Sequence, residues 1–194
     1  INYEDLELSM IDKRSNESSH LKSDLQYYKS FMEWGMDGET NAFLEEVFLW
    51  LSENLPLSPN PKKLCWGDSR IGNVLFEDFQ VKSLLDWEMA TIGDPLCDLA
   101  WGLTTDDVSS HGLNIEKLPG SIANEEAIKF WEKNTGFSAD NFFYYRILCL
   151  FKFSVIMIRV AKKLIHNEIM PLDSDFHVNN HVSNYLRQEF NEKN

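Results

Sequence analysis

The chain has 194 residues, of which 43% are hydrophobic and 25% charged, the make-up of one packed globular domain rather than of a disordered or fibrous chain. Its formal net charge is −13, and −8 of that falls in residues 1–60, where 12 Asp/Glu oppose 4 Lys/Arg. No basic cluster exceeds the pairs Lys62-Lys63 and Lys162-Lys163, so the footprint required for binding a nucleic-acid backbone is missing and nucleic acid is excluded as a partner.

Residues 18–34 place Leu21, Leu25, Tyr28 and Met32 at helical spacing, with Gly35 as a stop. Residues 41–55 repeat the pattern through Phe43, Val47, Trp50 and Leu51 until PLSPNP ends it, because proline cannot continue a helix and restricts the residue before it. The period then changes. KLCWG, NVLFE and VKSLLD are short apolar runs bounded by Gly, Asn and Asp, which predicts short strands, the last two joined through EDFQ into a hairpin with 74–77 opposite 82–85. In GDPLCDLAWGL an Asp followed by Pro is the chemistry of a helix start near Asp94. Helices follow over 122–134, 139–163 and 174–191, punctuated by Pro119, Gly136 and Pro171. The fold class is α+β and mainly helical.

The most apolar segment, NFFYYRILCLFKFSVIMIRVAKKL, carries Arg146, Lys152 and Arg159, which suits a buried helix and not a membrane span. Cys65, Cys97 and Cys149 are odd in number and lack any CxxC spacing, so neither a disulfide framework nor a zinc site is expected and a reducing cytoplasm fits. The first residues, INYEDLELSM, form no signal peptide and lack a start methionine, so the chain is expected to begin inside a longer protein.

Residues 64–101 raise a chemical question. Asp68, Asn73, Asp86, Asp94 and Asp98 sit among apolar neighbours, and bare carboxylates and amides are costly to bury without partners. In the expected hairpin Asn73 precedes the first strand and Asp86 follows the second, so both emerge at its open end. Asp68 lies five residues before Asn73 in a glycine-containing loop that reaches the same end. Two carboxylates and an amide converging on one point suit magnesium, which takes one or two protein carboxylates and draws its remaining ligands from water and substrate phosphates. Asp94 is accounted for as a helix cap.

WGDSRIGN resembles the HGDxxxxN loop of aminoglycoside phosphotransferases, and LLDWE resembles their metal-binding Asp segment, where protein kinases carry DFG. The stretch from GDSRIGNVLFE to LLDWEMATIGDPLCDLAW is similar to the branch of the phosphotransferase family that includes the kinase-like domain of the acyl-CoA dehydrogenase 10/11 proteins. The resemblance implies a protein-kinase-like C-terminal lobe over 1–194 and an ATP-dependent transfer of the γ-phosphoryl group to a hydroxyl of a small molecule. It implies that Asp68 orients or deprotonates that hydroxyl, that Asn73 and Asp86 bind Mg2+ and through it the ATP phosphates, and that Asp98 supports the catalytic loop. Phosphoryl transfer needs mostly alignment and charge neutralisation, which such a set supplies.

Two departures stand out. Trp66 occupies the place of the family's His, and no Gly-rich loop or strand lysine of an N-terminal lobe is found. The expected partner is therefore that lobe, carried by a parent chain, and the exposed half-cleft is a surface for self-association. The rival reading is a catalytically silent binding or scaffold module.

Simpler roles account for most other polar residues. Arg70 is read as bonding carbonyls within its own loop, with contact to phosphate or substrate as the alternative. His177 and His181, four apart on an expected helix, lack the Glu of HExxH and read as a solvated face. Trp34, Trp50, Trp101 and Trp131 read as core or groove-wall residues. The acids at 33–53 read as solvated, or more sharply as the wall of a pocket for an amine-bearing substrate.

Overall fold

The computed structural model describes residues 20–193 except Ser58, together with Tyr3, Leu8 and Ile11. The elements are α1 (His20–Met36), α2 (Ala42–Glu53), β1 (Lys63–Cys65), β2 (Val74–Glu77), β3 (Gln80–Leu84), β4 (Thr91–Gly93), α3 (Leu96–Ser110), α4 (Asn124–Thr135), α5 (Phe142–His166) and α6 (His181–Lys193). No described helix is long and apolar enough to cross a membrane.

The α5 helix is the hub, packing against α1, α2, α3 and α6. Tyr145, Ile147, Leu150, Phe151, Val155 and Ile158 are completely enclosed, as expected of a helix that is apolar on most sides. Three of its cations have found partners. Arg146 bonds Asp107 of α3 and Glu189 of α6, Lys152 reaches Asp24 of α1 at 3.0 Å, and the Arg159 guanidinium lies 3.8 Å from the centre of the Trp34 ring. Charge inside this segment therefore ties helices together.

Some expected boundaries shift. Gly35 does not stop α1, which runs to Met36 and turns out through Asp37 and Gly38, both at positive φ. Gly35 is instead a packing residue, since a Cβ there would meet Arg159 and Ile158 at 3.4 Å. Residues 174–180 form turns rather than the first part of α6. The Asn180 side chain accepts from the Val182 and Ser183 N–H groups and so starts α6 itself. His177 and His181 therefore share no helix face, and His177 lies 3.4 Å from Glu39.

Two small antiparallel sheets flank the helices. One pairs β1 with β4, in the register Leu64 to Ile92. Thr91–Gly93, three residues long and without alternation, was not recognisable as a strand. The other is the expected hairpin, in a different register: Val74 opposes Leu84 and Glu77 opposes Gln80. The link is the two-residue turn Asp78-Phe79, both at positive φ as that tight turn demands.

Candidate active site

The sheets and the start of α3 position one loop, residues 66–70. It leaves β1 through Gly67, whose φ of +90° and 2.3 Å clearance between a built Cβ and the Met89 carbonyl admit only glycine. From α3, Asp98 accepts the N–H groups of Trp66 at 2.7 Å and Gly67 at 2.9 Å. Ser69 Oγ returns a hydrogen bond to the Asp98 carbonyl at 2.7 Å. Burial pushes the Asp98 carboxyl above its ordinary range, and the two loop N–H donors oppose that rise.

Asp94 secures the other side of α3. Its carboxylate accepts the Leu96 N–H at 2.8 Å as a helix cap, and also the Asn60 N–H and the Tyr145 hydroxyl at 2.8 and 2.7 Å. Burial, more than any neighbouring charge, pushes the Tyr145 hydroxyl far above a tyrosine's usual range. Tyr145 is thus a fixed donor to Asp94.

Asp68 lies at the centre of the loop and is held from three directions. Trp101 Nε1 donates to Oδ1 at 2.7 Å, Asn73 Nδ2 to Oδ2 at 2.7 Å, and Arg70 Nε to both oxygens at 3.2 and 3.0 Å. A carboxylate offers about four acceptor directions, so room for a further donor remains. Asn73 is 5% exposed and also gives its amide N–H to the Asp68 carbonyl at 3.0 Å. Its amide oxygen consequently faces away, with no described donor on it.

Asp86 follows the hairpin. The Leu85 N–H to Asn73 carbonyl bond, at 2.8 Å, extends the ladder and sets Asp86 at the same end as Asn73. Its backbone is left-handed, at φ 57° and ψ 60°, and its side chain is exposed and caps nothing. The structure therefore joins Asp68 to Asn73 directly and leaves Asp86 beside them without a described hydrogen bond to either.

Three contributors were not assigned from sequence. Trp101 had been read as a wall residue; its ring packs on Phe153 with centroids 5.9 Å apart while its N–H reaches Asp68. The available signal was general, namely that a buried indole N–H requires an acceptor. Arg70 bonds the Asp68 carboxylate instead of loop carbonyls. Trp66, in the place of the family's His, donates its indole N–H to the Leu85 carbonyl at 2.7 Å, tying the 66–70 loop to the Asp86 segment. Trp66→Phe removes that donor and is expected to lower stability by about 1 kcal/mol or less. A chemical-denaturation midpoint unchanged by the substitution would show that the tie contributes nothing.

Beside Asp68 opens a cavity of about 880 Å3. Asp68, Arg70 and Glu88 line it with Trp101, and Met89 and residues of α1, α3 and α5 supply the remaining walls. The acids Glu45, Glu46 and Glu53 line a separate depression with Leu49, Trp50 and Phe190, sharing no residue with this cavity. Among the described residues no group of three or more His, Cys, Asp or Glu side chains is placed to hold a metal unaided.

The arrangement is that of a kinase-like phosphotransferase fold. It matches the structure of a putative aminoglycoside phosphotransferase from Ralstonia eutropha JMP134 with a TM-score of 0.72 at 17% identity, over 97% of this chain and 57% of that one. The model of the phosphotransferase enzyme family matches residues 7–126, and the chain belongs to that family. Among curated proteins it is 32% identical over 124 residues to acyl-CoA dehydrogenase family member 11 of Pongo abelii, covering 58% of this chain. It is 33% identical over 138 residues to the Gallus gallus member 11, and 26% identical over 172 residues to the mouse family member 10. The matched region spans only 16 to 18% of the length of these relatives.

Proposed function

We propose that the chain is the acceptor-binding and metal-holding lobe of an ATP-dependent phosphotransferase that acts on a small-molecule hydroxyl. The observation that carries this reading is the Asp68 carboxylate, fixed by Trp101, Asn73 and Arg70 at the edge of a large cavity. In that position Asp68 accepts a hydrogen bond from the acceptor hydroxyl and takes its proton as the oxygen attacks the γ-phosphorus and the bond to the ADP oxygen breaks.

The donor set fits a hard divalent cation. Asn73 turns an amide oxygen away from its own hydrogen bonds and Asp86 presents a carboxylate with no partner among the described residues, both oxygen ligands of the kind magnesium takes. Magnesium bound there would offset the charge of the ATP phosphates. The strongly apolar outer face of the hairpin, with Phe76, Phe79, Val81 and Leu85 all exposed, is the surface on which a phosphate-covering lobe of the parent protein would close.

Titrating Mg-ATP into the chain alone, by calorimetry, tests the division of labour. Weak binding and no transfer are expected, because half of the phosphate contacts belong to the other lobe. Micromolar affinity together with transfer would show the lobe to be a complete enzyme.

A further inference from the structure

The cavity beside Asp68 is electrostatically two-ended. The carboxylates of Asp68 and Glu88 stand at one end, next to Arg70, while α5 brings Arg159, Lys162, Lys163 and His166 to the other. Position along α5 separates the ends. Phe153 packs on Trp101, which bonds Asp68; Lys162, nine residues further along the helix, is displaced from it by about 14 Å at 1.5 Å per residue. The rest of the lining is mainly apolar, with Tyr28, Phe31, Phe153, Ile156 and Val160, and the hydroxyls of Thr105 and Ser109 on α3 join it.

Among the described residues, Arg159, Lys162 and Lys163 have no counter-ion. The ion pairs formed by described residues engage Lys29, Arg70, Lys82, Lys117, Arg146, Lys152 and His177, and no described carboxylate lies within 4.0 Å of Arg159, Lys162 or Lys163. Arg159 is instead oriented by the Trp34 ring beneath its guanidinium. In a chain of net charge −13, clustering like charges on one cavity wall is unfavourable unless something anionic joins them. Arginine and lysine together are the usual receptors for carboxylate and phosphate.

We propose that the acceptor is a hydroxylated amphiphile with an anionic end, a carboxylate or a phosphate monoester. Arg159, Lys162 and Lys163 bind the anion, the apolar wall takes the body, and the hydroxyl is laid at Asp68. The placement of the hydroxyl rests on the phosphotransferase reading; the binding of the anion does not. A polycationic amino sugar would meet this wall as like charge.

Calorimetric titration of the chain with four compounds of one chain length tests the proposal: a long-chain ω-hydroxy carboxylate, the corresponding ω-hydroxyalkyl phosphate, the neutral diol and the ω-amino alcohol. The anionic compounds are expected to bind at least tenfold more tightly than the diol, on the scale of one charge-assisted hydrogen bond, and the amine most weakly. A preference of one anion over the other identifies the head group. The variant carrying Lys162→Glu and Lys163→Glu should lose that preference while keeping the diol affinity, which reports an intact cavity. If its diol affinity falls as well, Lys162→Gln replaces it and should still lower the affinity for the anions selectively. Equal or tighter binding of the amine, anion affinity unchanged in the variants, or no binding of either anion would overturn the proposal. Because no nucleotide is present, anion binding without any transfer to these compounds in the longer parent would count against the phosphotransferase reading alone. Transfer to a cationic acceptor would count against this inference alone.

Discussion

In a longer parent protein that carries the nucleotide-covering lobe, Asp68→Asn is expected to reduce turnover by about a hundredfold to ten-thousandfold, the range for a lost general base, with Mg-ATP affinity nearly unchanged. The substitution keeps the shape of the side chain but replaces one acceptor oxygen by an N–H group. That group would oppose one of the donors now converging on the carboxylate, from Trp101, Asn73 and Arg70. Asp86→Asn should behave differently and weaken Mg-ATP binding itself, since a metal ligand acts already in the ground state. Steady-state kinetics alongside nucleotide titration separate the two, and near-normal turnover in Asp68→Asn would remove Asp68 from the catalytic role.

Arg146→Ala is expected to destabilise the fold by about 3–5 kcal/mol, the cost of breaking a buried ion pair from one side, or a fall in melting temperature of roughly 10 °C for a chain of this size. Arg146 holds three helices together. It donates to Asp107 at 2.6 Å, to Glu189 at 2.7 Å and to the Tyr185 hydroxyl at 2.7 Å, while Lys117 reaches the same Asp107 carboxylate at 2.7 Å. Burial acts to raise the Asp107 pKa, but the hydrogen bonds from Lys117, Arg146 and Asn124 outweigh it and hold the carboxyl below its ordinary value of 3.8. With the folded value depressed, this stabilisation is complete above an unfolded aspartate's pKa and is lost as pH falls below 3.8 toward the folded value. Melting curves across that window should therefore be flatter for Arg146→Ala than for the unaltered chain. A melting temperature within a degree or two of the unaltered chain's would show the network to be dispensable.

What could be read from the sequence depended on how far each residue is from its partner along the chain. The hairpin was legible because alternating apolar residues and the turn EDFQ lie within a dozen positions, and the start of α3 because Asp94 caps Leu96 two residues on. Its register was not, since a bulge between Leu75 and Phe76 leaves no mark in composition. The Asp68 loop was recognisable by its spacing, yet its restraint by Trp101 was not, because the two are 33 residues apart and an indole among apolar neighbours looks like any other core residue. Arg146, Lys152 and Arg159 of α5 were likewise visible only as charges that disqualify a membrane span, and Lys162-Lys163 only as a basic pair. Which of them turn inward to Asp107 and Asp24, and which line a cavity, is decided by the packing of α1, α3 and α6.

The tie between Trp66 and Leu85 has a consequence for working conditions. A histidine in that place would exchange protons with solvent near neutrality, so its hold on the segment leading to Asp86 would vary with acidity. An indole N–H donates only and has no ionisation in this range. The hydrogen bond that joins the 66–70 loop to the Asp86 segment is thereby insulated from pH.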